Sequence, residues 1–234
     1  MFKEAIVLAG GFGTRLQGVL PDLPKSMAPI GNKPFLYYLL SYLEEEGIEH
    51  VVLSVGYKHE KIKEYFGVQF KNVRLTYALE ETPLGTGGGI KKSLELCQEQ
   101  AVFVLNGDSF FDVSFDVLRK HWKLDTDLLL SLCSMHQSSR YGAVEIDALG
   151  KVVAFKEKQY FDQALINGGV YLLSKAIFES FDLEQRFSFE KEVMENGLHA
   201  LQIQALVFEN YFIDIGVPED YKRAQGELLD IFES

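Results

Sequence analysis

The sequence has almost no cysteine. Cys97 and Cys133 are the only two in 234 residues, which excludes a disulfide-stapled scaffold and fits two reduced thiols. Long apolar runs are missing too. Ala101–Leu105 and Leu128–Leu130 are far shorter than the roughly 20 residues a membrane helix requires. The opening Met1-Phe2-Lys3-Glu4 runs directly into an apolar strand pattern, without a signal-peptide layout. A cytoplasmic protein with no membrane partner is expected. Cations are the scarcer charge: 23 Lys and Arg stand against 34 Asp and Glu, a net charge of −11. Such a surface repels polyphosphate backbones and argues against nucleic acid as a partner. It leaves room for a small anion held by a few cations and aligned N–H groups. The five histidines are scattered. They form no zinc pattern, and no Gly-x-Ser-x-Gly hydrolase elbow occurs.

What is present is an ordinary globular balance, 47% hydrophobic and 24% charged, long enough to bury a sizeable core. Strand patterns at Glu4–Ala9, His50–Val55, Val73–Leu79 and Ala101–Leu105 alternate with helix patterns at Phe35–Glu46, His59–Phe66 and Ile90–Cys97. A glycine-rich turn is expected over Gly85–Gly89, ahead of the last of these helices. Alternation of this kind predicts a mostly parallel sheet with helices on both faces, and ligands beyond the carboxyl ends of its strands. After Asp125 the pattern becomes β-rich, with strands at Leu128–Cys133, Ala143–Ile146, Val152–Lys156 and Ile166–Leu173. Helical stretches are expected at Lys175–Phe181 and Glu190–Glu195, and short strands at Leu201–Leu206 and Tyr211–Ile213. Pro218–Phe232 reads as a final helix, with Glu219 and Asp220 in its first turn. The expectation is a single domain over residues 1–234, with a core of about 1–125, a β-rich lid of about 126–215 and a C-terminal helix of about 217–232.

The chemistry-bearing residues cluster at strand ends. Gly10, Gly11 and Gly13 follow the first strand and allow backbone N–H groups to approach phosphate oxygens. Leu16 stands where a dinucleotide fingerprint needs its third glycine, and no Gly-Lys-Ser/Thr follows for a P-loop. The Leu16 departure disfavours a nicotinamide-dependent oxidoreductase. The Arg15 guanidinium suits bidentate phosphate binding. Lys25 lies on a stretch stiffened by Pro24 and Pro29. Asp108 and Asp214 both follow apolar strand patterns, where a carboxylate needs a reason.

Leu8–Leu16 followed by Pro24-Lys25 resembles the signature of the sugar-nucleotidyltransferases, the nucleoside-diphosphate-sugar pyrophosphorylases. The resemblance extends through Glu80–Gly87, Leu105–Asp108, Phe155–Lys158, Ile166–Tyr171 and Phe212–Tyr221. It implies a Rossmann-like α/β fold, a mixed sheet sandwiched by helices with a β-rich sugar-binding region, of GT-A-like type. It also implies nucleotidyl transfer from an NTP to a sugar 1-phosphate, with Mg²⁺ as cofactor. Catalytic roles then fall on Arg15, Lys25 and Asp108. Nucleotide binding falls on Leu8, Ala9, Gly10, Gly11, Gly13, Thr14, Arg15, Lys25, Glu80, Gly85, Thr86, Asn106 and Asp108. Binding of the sugar phosphate falls on Gly142, Glu157, Lys158, Asn167 and Gly168, and the metal on Asp108 and Asp214. Gln159 replaces the family's proline after Lys158. A regulatory subunit that binds without reacting should lack the lysine or a metal aspartate, and Lys25, Asp108 and Asp214 are all here.

Within the family, Pro24–Ile30 paired with Glu80–Gly88 is most similar to the branch that joins GTP to heptose 1-phosphates for bacterial surface polysaccharide. Mannose-1-phosphate guanylyltransferases and sugar-phosphate uridylyltransferases are near neighbours that the shared motifs do not separate. GTP is the expected nucleotide, because a carboxylate at Glu80 can accept both N1–H and N2–H of guanine. Whether the chain works alone or as a homodimer stays open.

Overall fold

The computed structural model of the protein describes residues 2–11 and 23–233. The expectations for Gly13, Thr14 and Arg15 therefore lie outside the described residues. Strand β1 (Glu4–Leu8) is almost wholly buried, and its side chains alternate between two cores as the strand period requires. Ala5 and Val7 face one core, Ile6 the other. A 3-10 turn over Lys25–Met27 leads through a small hairpin, β2 (Pro29–Ile30) and β3 (Lys33–Pro34), into helix α1 (Phe35–Glu45). Then come β4 (His50–Val55), α2 (His59–Phe66), β5 (Gln69–Phe70), β6 (Val73–Leu79) and α3 (Gly85–Leu94). Strands β7 (Ala101–Asn106) and β8 (Ser109–Phe111) and helix α4 (Phe115–His121) complete the first half.

The second half contains β9 (Leu128–Ser138), β10 (Ala143–Ile146), β11 (Val152–Lys156) and the long β12 (Phe161–Ser174). A π-helical turn over Phe189–Glu195, β13 (Ile203–Phe208), β14 (Phe212–Asp214) and α5 (Pro218–Glu233) follow.

These strands form a mixed ten-stranded sheet with the order β11-β10-β12-β7-β1-β4-β6-β5, and β9 and β13 continue from β12. At its centre β7, β1, β4 and β6 run parallel, so Asn106, Leu8, Val55 and Leu79 finish on the same side. Helices α1, α4 and α5 bury Phe35, Leu39, Phe115, Leu118 and Leu228 on one face. Ile90, Leu94, Phe189 and Val193 cover the other. Each such side chain contributes about 1.5–3 kcal/mol by leaving water. The fold is thus a Rossmann-like α/β sandwich, and strands from both halves share one sheet.

Three local expectations need correction. Gly85–Gly89 is not a turn before a helix but the first half of α3 itself. Glycine is poor in helices, yet here the chain 185–187 lies too close for side chains. A Cβ on Gly87 would fall 2.1 Å from the Phe187 ring, and one on Gly88 2.6 Å from the Gln185 carbonyl oxygen. Lys175–Phe181 forms separate turns closed by i→i−3 bonds, such as Ile177 N–H to Ser174 O and Glu179 N–H to Ala176 O. The neighbouring residues Ile177 and Phe178 both anchor in the core. Glu190–Glu195 is wound as a π-helix, visible in the Asn196 N–H bond to Lys191 O.

Candidate active site

A cavity of about 640 Å³ opens beyond the carboxyl ends of the parallel strands, where α/β sheets bind ligands. Its wall gathers Leu8, Ala9, Gly10 and Gly11 at the end of β1, Glu80 and Glu81 after β6, Gly85 and Thr86 in α3, and Asn106 and Asp108 at the end of β7. Lys25 enters from its 3-10 turn. The structure thus brings together every described residue of the expected nucleotide set.

Backbone approach explains Gly10. A Cβ there would lie 3.0 Å from Glu80 Oε1 and 3.3 Å from the Gly56 nitrogen, so the ends of β1, β4 and β6 touch at this point. The Glu80 carboxylate is fixed by two donors. The Ser54 hydroxyl donates to Oε1 at 2.8 Å and the Leu84 N–H to Oε2 at 3.1 Å. Each oxygen retains acceptor capacity. Thr86 is turned to a different use, since its hydroxyl donates to Glu190 Oε2 at 2.6 Å and accepts from the Phe189 N–H at 2.9 Å.

At the other end of the cavity a lysine bridges two aspartates. Lys25 Nζ donates to Asp108 Oδ2 at 2.5 Å and lies 3.7 Å from Asp214 Oδ1. The lysine side chain is only 14% exposed, Asp108 41% and Asp214 24%. The pairing of β14 with β8, in which Asp214 stands opposite Ser109, and the Ile215 N–H bond to the Asp108 carbonyl bring the distant aspartates together. Asp214 is held further by the Gly216 N–H at 2.7 Å, the Tyr141 hydroxyl at 3.3 Å and Arg140 Nη2 at 3.5 Å. Arg140 also pairs with Asp220 of α5. Burial works against the Arg140 charge, but the bond to Asp220 and the nearby acids outweigh it and raise its pKa. Burial, reinforced by the Asp214 charge, likewise pushes the Tyr141 phenol up and keeps it protonated.

Among the described residues no three His, Cys, Asp or Glu side chains gather as a metal cage. Two carboxylates converging on one cation do fit Mg²⁺, which takes one or two carboxylates and draws its other ligands from phosphates and water.

The expected sugar residues form a second group. Ala143 pairs with both Lys156 and Ile166, so the adjoining Gly142, Glu157 and Asn167 lie level with one another where β10 begins, β11 ends and β12 passes. Asn167 is tied inward. Its Nδ2 donates to the Tyr171 hydroxyl at 2.9 Å, which is also hydrogen-bonded to Asn106. Gly168 and Gly169 occupy the break in β12 register between Asn167 and Tyr171. A Cβ on Gly168 would lie 2.2 Å from the Phe111 ring. Glu157 and Lys158 are exposed and do not line the large cavity.

Cavity residues that sequence reasoning missed include Tyr57, His59, Arg186 and Glu190. Tyr57 and His59 follow the fourth strand and could have been found by the same strand-end rule that flagged Glu80. Arg186 and Glu190 arrive only because the 185–190 segment is zipped onto α3, through Gly87 N–H to Phe187 O and Phe187 N–H to Leu84 O.

The profile described as Nucleotidyl transferase matches residues 4–231. The chain belongs to the nucleotidyl transferase family. Within the family it is 47% identical over 218 residues, 93% of this chain and 96% of the relative, to D-glycero-alpha-D-manno-heptose 1-phosphate guanylyltransferase of Campylobacter jejuni. To the protein of the same description from Aneurinibacillus thermoaerophilus it is 46% identical over 226 residues, 96% of this chain and 98% of that one. The crystal structure of HddC from Yersinia pseudotuberculosis superposes with a TM-score of 0.87 at 36% identity, covering 97% of this chain and 99% of HddC. HddC has also been solved complexed with GMP-PN.

Proposed function

We propose that the protein transfers a guanylyl group from GTP to D-glycero-α-D-manno-heptose 1-phosphate, giving GDP-heptose and pyrophosphate, with Mg²⁺ as cofactor. The observation that carries the reaction type is the Asp108–Lys25–Asp214 cluster at the mouth of a strand-end cavity. The choice of substrates is supported by the near full-length similarity to two heptose 1-phosphate guanylyltransferases and by the acceptor geometry of Glu80.

The reaction is displacement at the α-phosphorus of the nucleotide. A phosphate oxygen of the sugar 1-phosphate forms the new P–O bond as the bond to the leaving pyrophosphate breaks. The nucleophile is already an anion, so no general base is needed. The protein's work is to hold two anions in line and neutralise charge. Asp108 and Asp214 would hold Mg²⁺, which would supply Lewis-acid charge neutralisation when bound. Lys25 lies beside this pair and supplies a point charge to the reacting phosphates. The family resemblance assigns Arg15 to the leaving phosphates. Glu80, oriented by Ser54 and Leu84, accepts N1–H and N2–H of guanine. Gly10 lets the base approach the backbone. Gly142, Glu157, Asn167 and Gly168 receive the sugar, and Lys158 its phosphate.

A matrix of four NTPs against heptose, mannose and glucose 1-phosphates, read by pyrophosphate release, tests the assignment. GTP with the heptose 1-phosphate is expected to be the fastest pair. Glu80→Gln is expected to lower the GTP preference by about tenfold, since a bidentate pair is worth about 1–3 kcal/mol of discrimination. Fastest release with UTP or TTP would overturn the guanylyl assignment and leave nucleotidyl transfer standing.

A further inference from the structure

The site that should hold a divalent metal already holds a cation. Lys25 Nζ lies 2.5 Å from Asp108 Oδ2 and 3.7 Å from Asp214 Oδ1, within reach of both carboxylates proposed as metal ligands. The fit is built into the backbone. Gly216 leaves room for the ammonium, because a Cβ there would fall 2.8 Å from Lys25 Nζ and 2.7 Å from Asp214 Oδ1. The turn that delivers Lys25 is closed by Met27 N–H to Pro24 O and Ala28 N–H to Lys25 O, and Ser26 and Met27 are buried. The root of the side chain is therefore fixed, and only its four-carbon stem can move.

A second cation closes the other side. Arg140 contacts Asp214 Oδ2 at 3.5 Å and is shared with Asp220. The two carboxylates of Asp108 and Asp214 thus already face an ammonium and a guanidinium. A divalent ion added to this set would enter against like charge in a partly buried space, where screening is weak. A triphosphate changes the balance. It brings several negative charges, gives Lys25 another anion to hold, and supplies the oxygens that Mg²⁺ requires beyond two carboxylates.

We propose that Lys25 is the resident counter-ion of the Asp108–Asp214 pair in the empty enzyme, so that the metal enters only as its complex with a nucleoside triphosphate. The proposal deepens the nucleotidyl-transfer reading and rests on it for the identity of the metal pair. Lys25 then acts twice, first holding the metal's place and afterwards binding phosphate.

Binding of Mn²⁺, followed by the electron paramagnetic resonance of the free ion and without any turnover, tests this. Wild type, Lys25→Met and Lys25→Met/Asp108→Asn are titrated in the absence of nucleotide. Lys25→Met keeps the length of the stem and removes the charge. It is expected to bind Mn²⁺ at least about tenfold more tightly than wild type, in keeping with the effect of a like charge at this range. The added Asp108→Asn should abolish the gain. In wild type, thermal melts should show no rise with Mg²⁺ alone and a rise with Mg²⁺ plus GTP. This measurement needs no variant.

Nucleotide-free wild type that binds Mn²⁺ as tightly as Lys25→Met, or that is stabilised equally by Mg²⁺ alone, would overturn the proposal. If no protein binds Mn²⁺ under any condition, the metal pair and the proposal fall together. If the melting temperature of the wild type rises with Mg²⁺ plus UTP and not with Mg²⁺ plus GTP, the counter-ion role stands and the guanylyl assignment fails.

Discussion

Removing one charge at the Asp108–Lys25–Asp214 cluster should have a large effect on rate and a small one on folding. Both aspartates line open cavities, so neither is a core packing residue. Asp108→Asn and Asp214→Asn are each expected to lower turnover at least about a hundredfold, the scale of losing one preorganised electrostatic contact in a transition state. Steady-state pyrophosphate release checks this, with circular dichroism to confirm the fold. Lys158 offers a separable effect. As an exposed cation assigned to the sugar phosphate, its replacement in Lys158→Ala should raise the KM for the sugar 1-phosphate about tenfold while that for GTP changes little. An equal rise in both would remove Lys158 from the sugar side. The strand-end residues of this site, Gly10, Glu80, Asn106 and Asp108, were legible because an apolar run followed by a polar residue marks a strand mouth. Tyr57 and His59 carry the same signal and were overlooked. Arg186 has no local signal: it reaches the cavity through the contact of chain 185–187 with α3, which is tertiary.

At the scale of elements, the glycines of α3 record that contact. Propensity favours a turn over Gly85–Gly89, and packing reverses it. Replacing Gly88 by Ala improves local helix propensity by about 1 kcal/mol. It also drives a methyl group to 2.6 Å from the carbonyl oxygen of Gln185 and 2.8 Å from Leu84 Cβ. Because the first neighbour is backbone, overpacking should win, and Gly88→Ala is expected to be destabilised by about 1–3 kcal/mol in urea denaturation. A stabilised variant would mean that the 185–187 segment is not held where it lies. The central strands were readable because β1, β4 and β7 are apolar on both faces. Helix α4 was not, for it buries only Phe115 and Leu118, and its start depends on the Phe115 N–H donating to Glu46 Oε2 at 2.6 Å. Strand β8 is short and takes its meaning from β14, more than a hundred residues later in sequence.

Across the whole molecule, the catalytic end of the sheet is balanced by a buried polar cluster at the opposite end. His50 Nδ1 contacts Glu4 Oε1 at 2.7 Å and its Nε2 contacts Thr76 Oγ1 at 2.9 Å. Glu4 Oε2 accepts the N–H groups of Gln98 and Glu99 at 2.6 and 2.7 Å. Burial alone would raise the Glu4 pKa, but the His50 and backbone hydrogen bonds outweigh it and hold it below 4.5. A carboxylate whose pKa is depressed by folding adds stability above its unfolded value and loses it as pH falls through the folded value. Wild type should therefore lose melting temperature more steeply than Glu4→Gln once the pH drops below 4.5, and the two should run parallel at neutral pH. Parallel curves throughout would show that Glu4 does not couple folding to pH. Turnover at neutral pH should be unaffected, since the cluster lies at the amino ends of β1 and β4, away from the cavity.

In the proposed reaction this cavity directs a sugar phosphate oxygen onto the α-phosphorus of GTP. Reactions with GTP radiolabelled at either the α or the γ phosphorus, together with D-glycero-α-D-manno-heptose 1-phosphate and Mg²⁺, test it directly. The α label should appear in the sugar nucleotide and the γ label in pyrophosphate, and Asp108→Asn should slow both at least about a hundredfold. Release of the γ label as orthophosphate, or its appearance on the sugar, would contradict it.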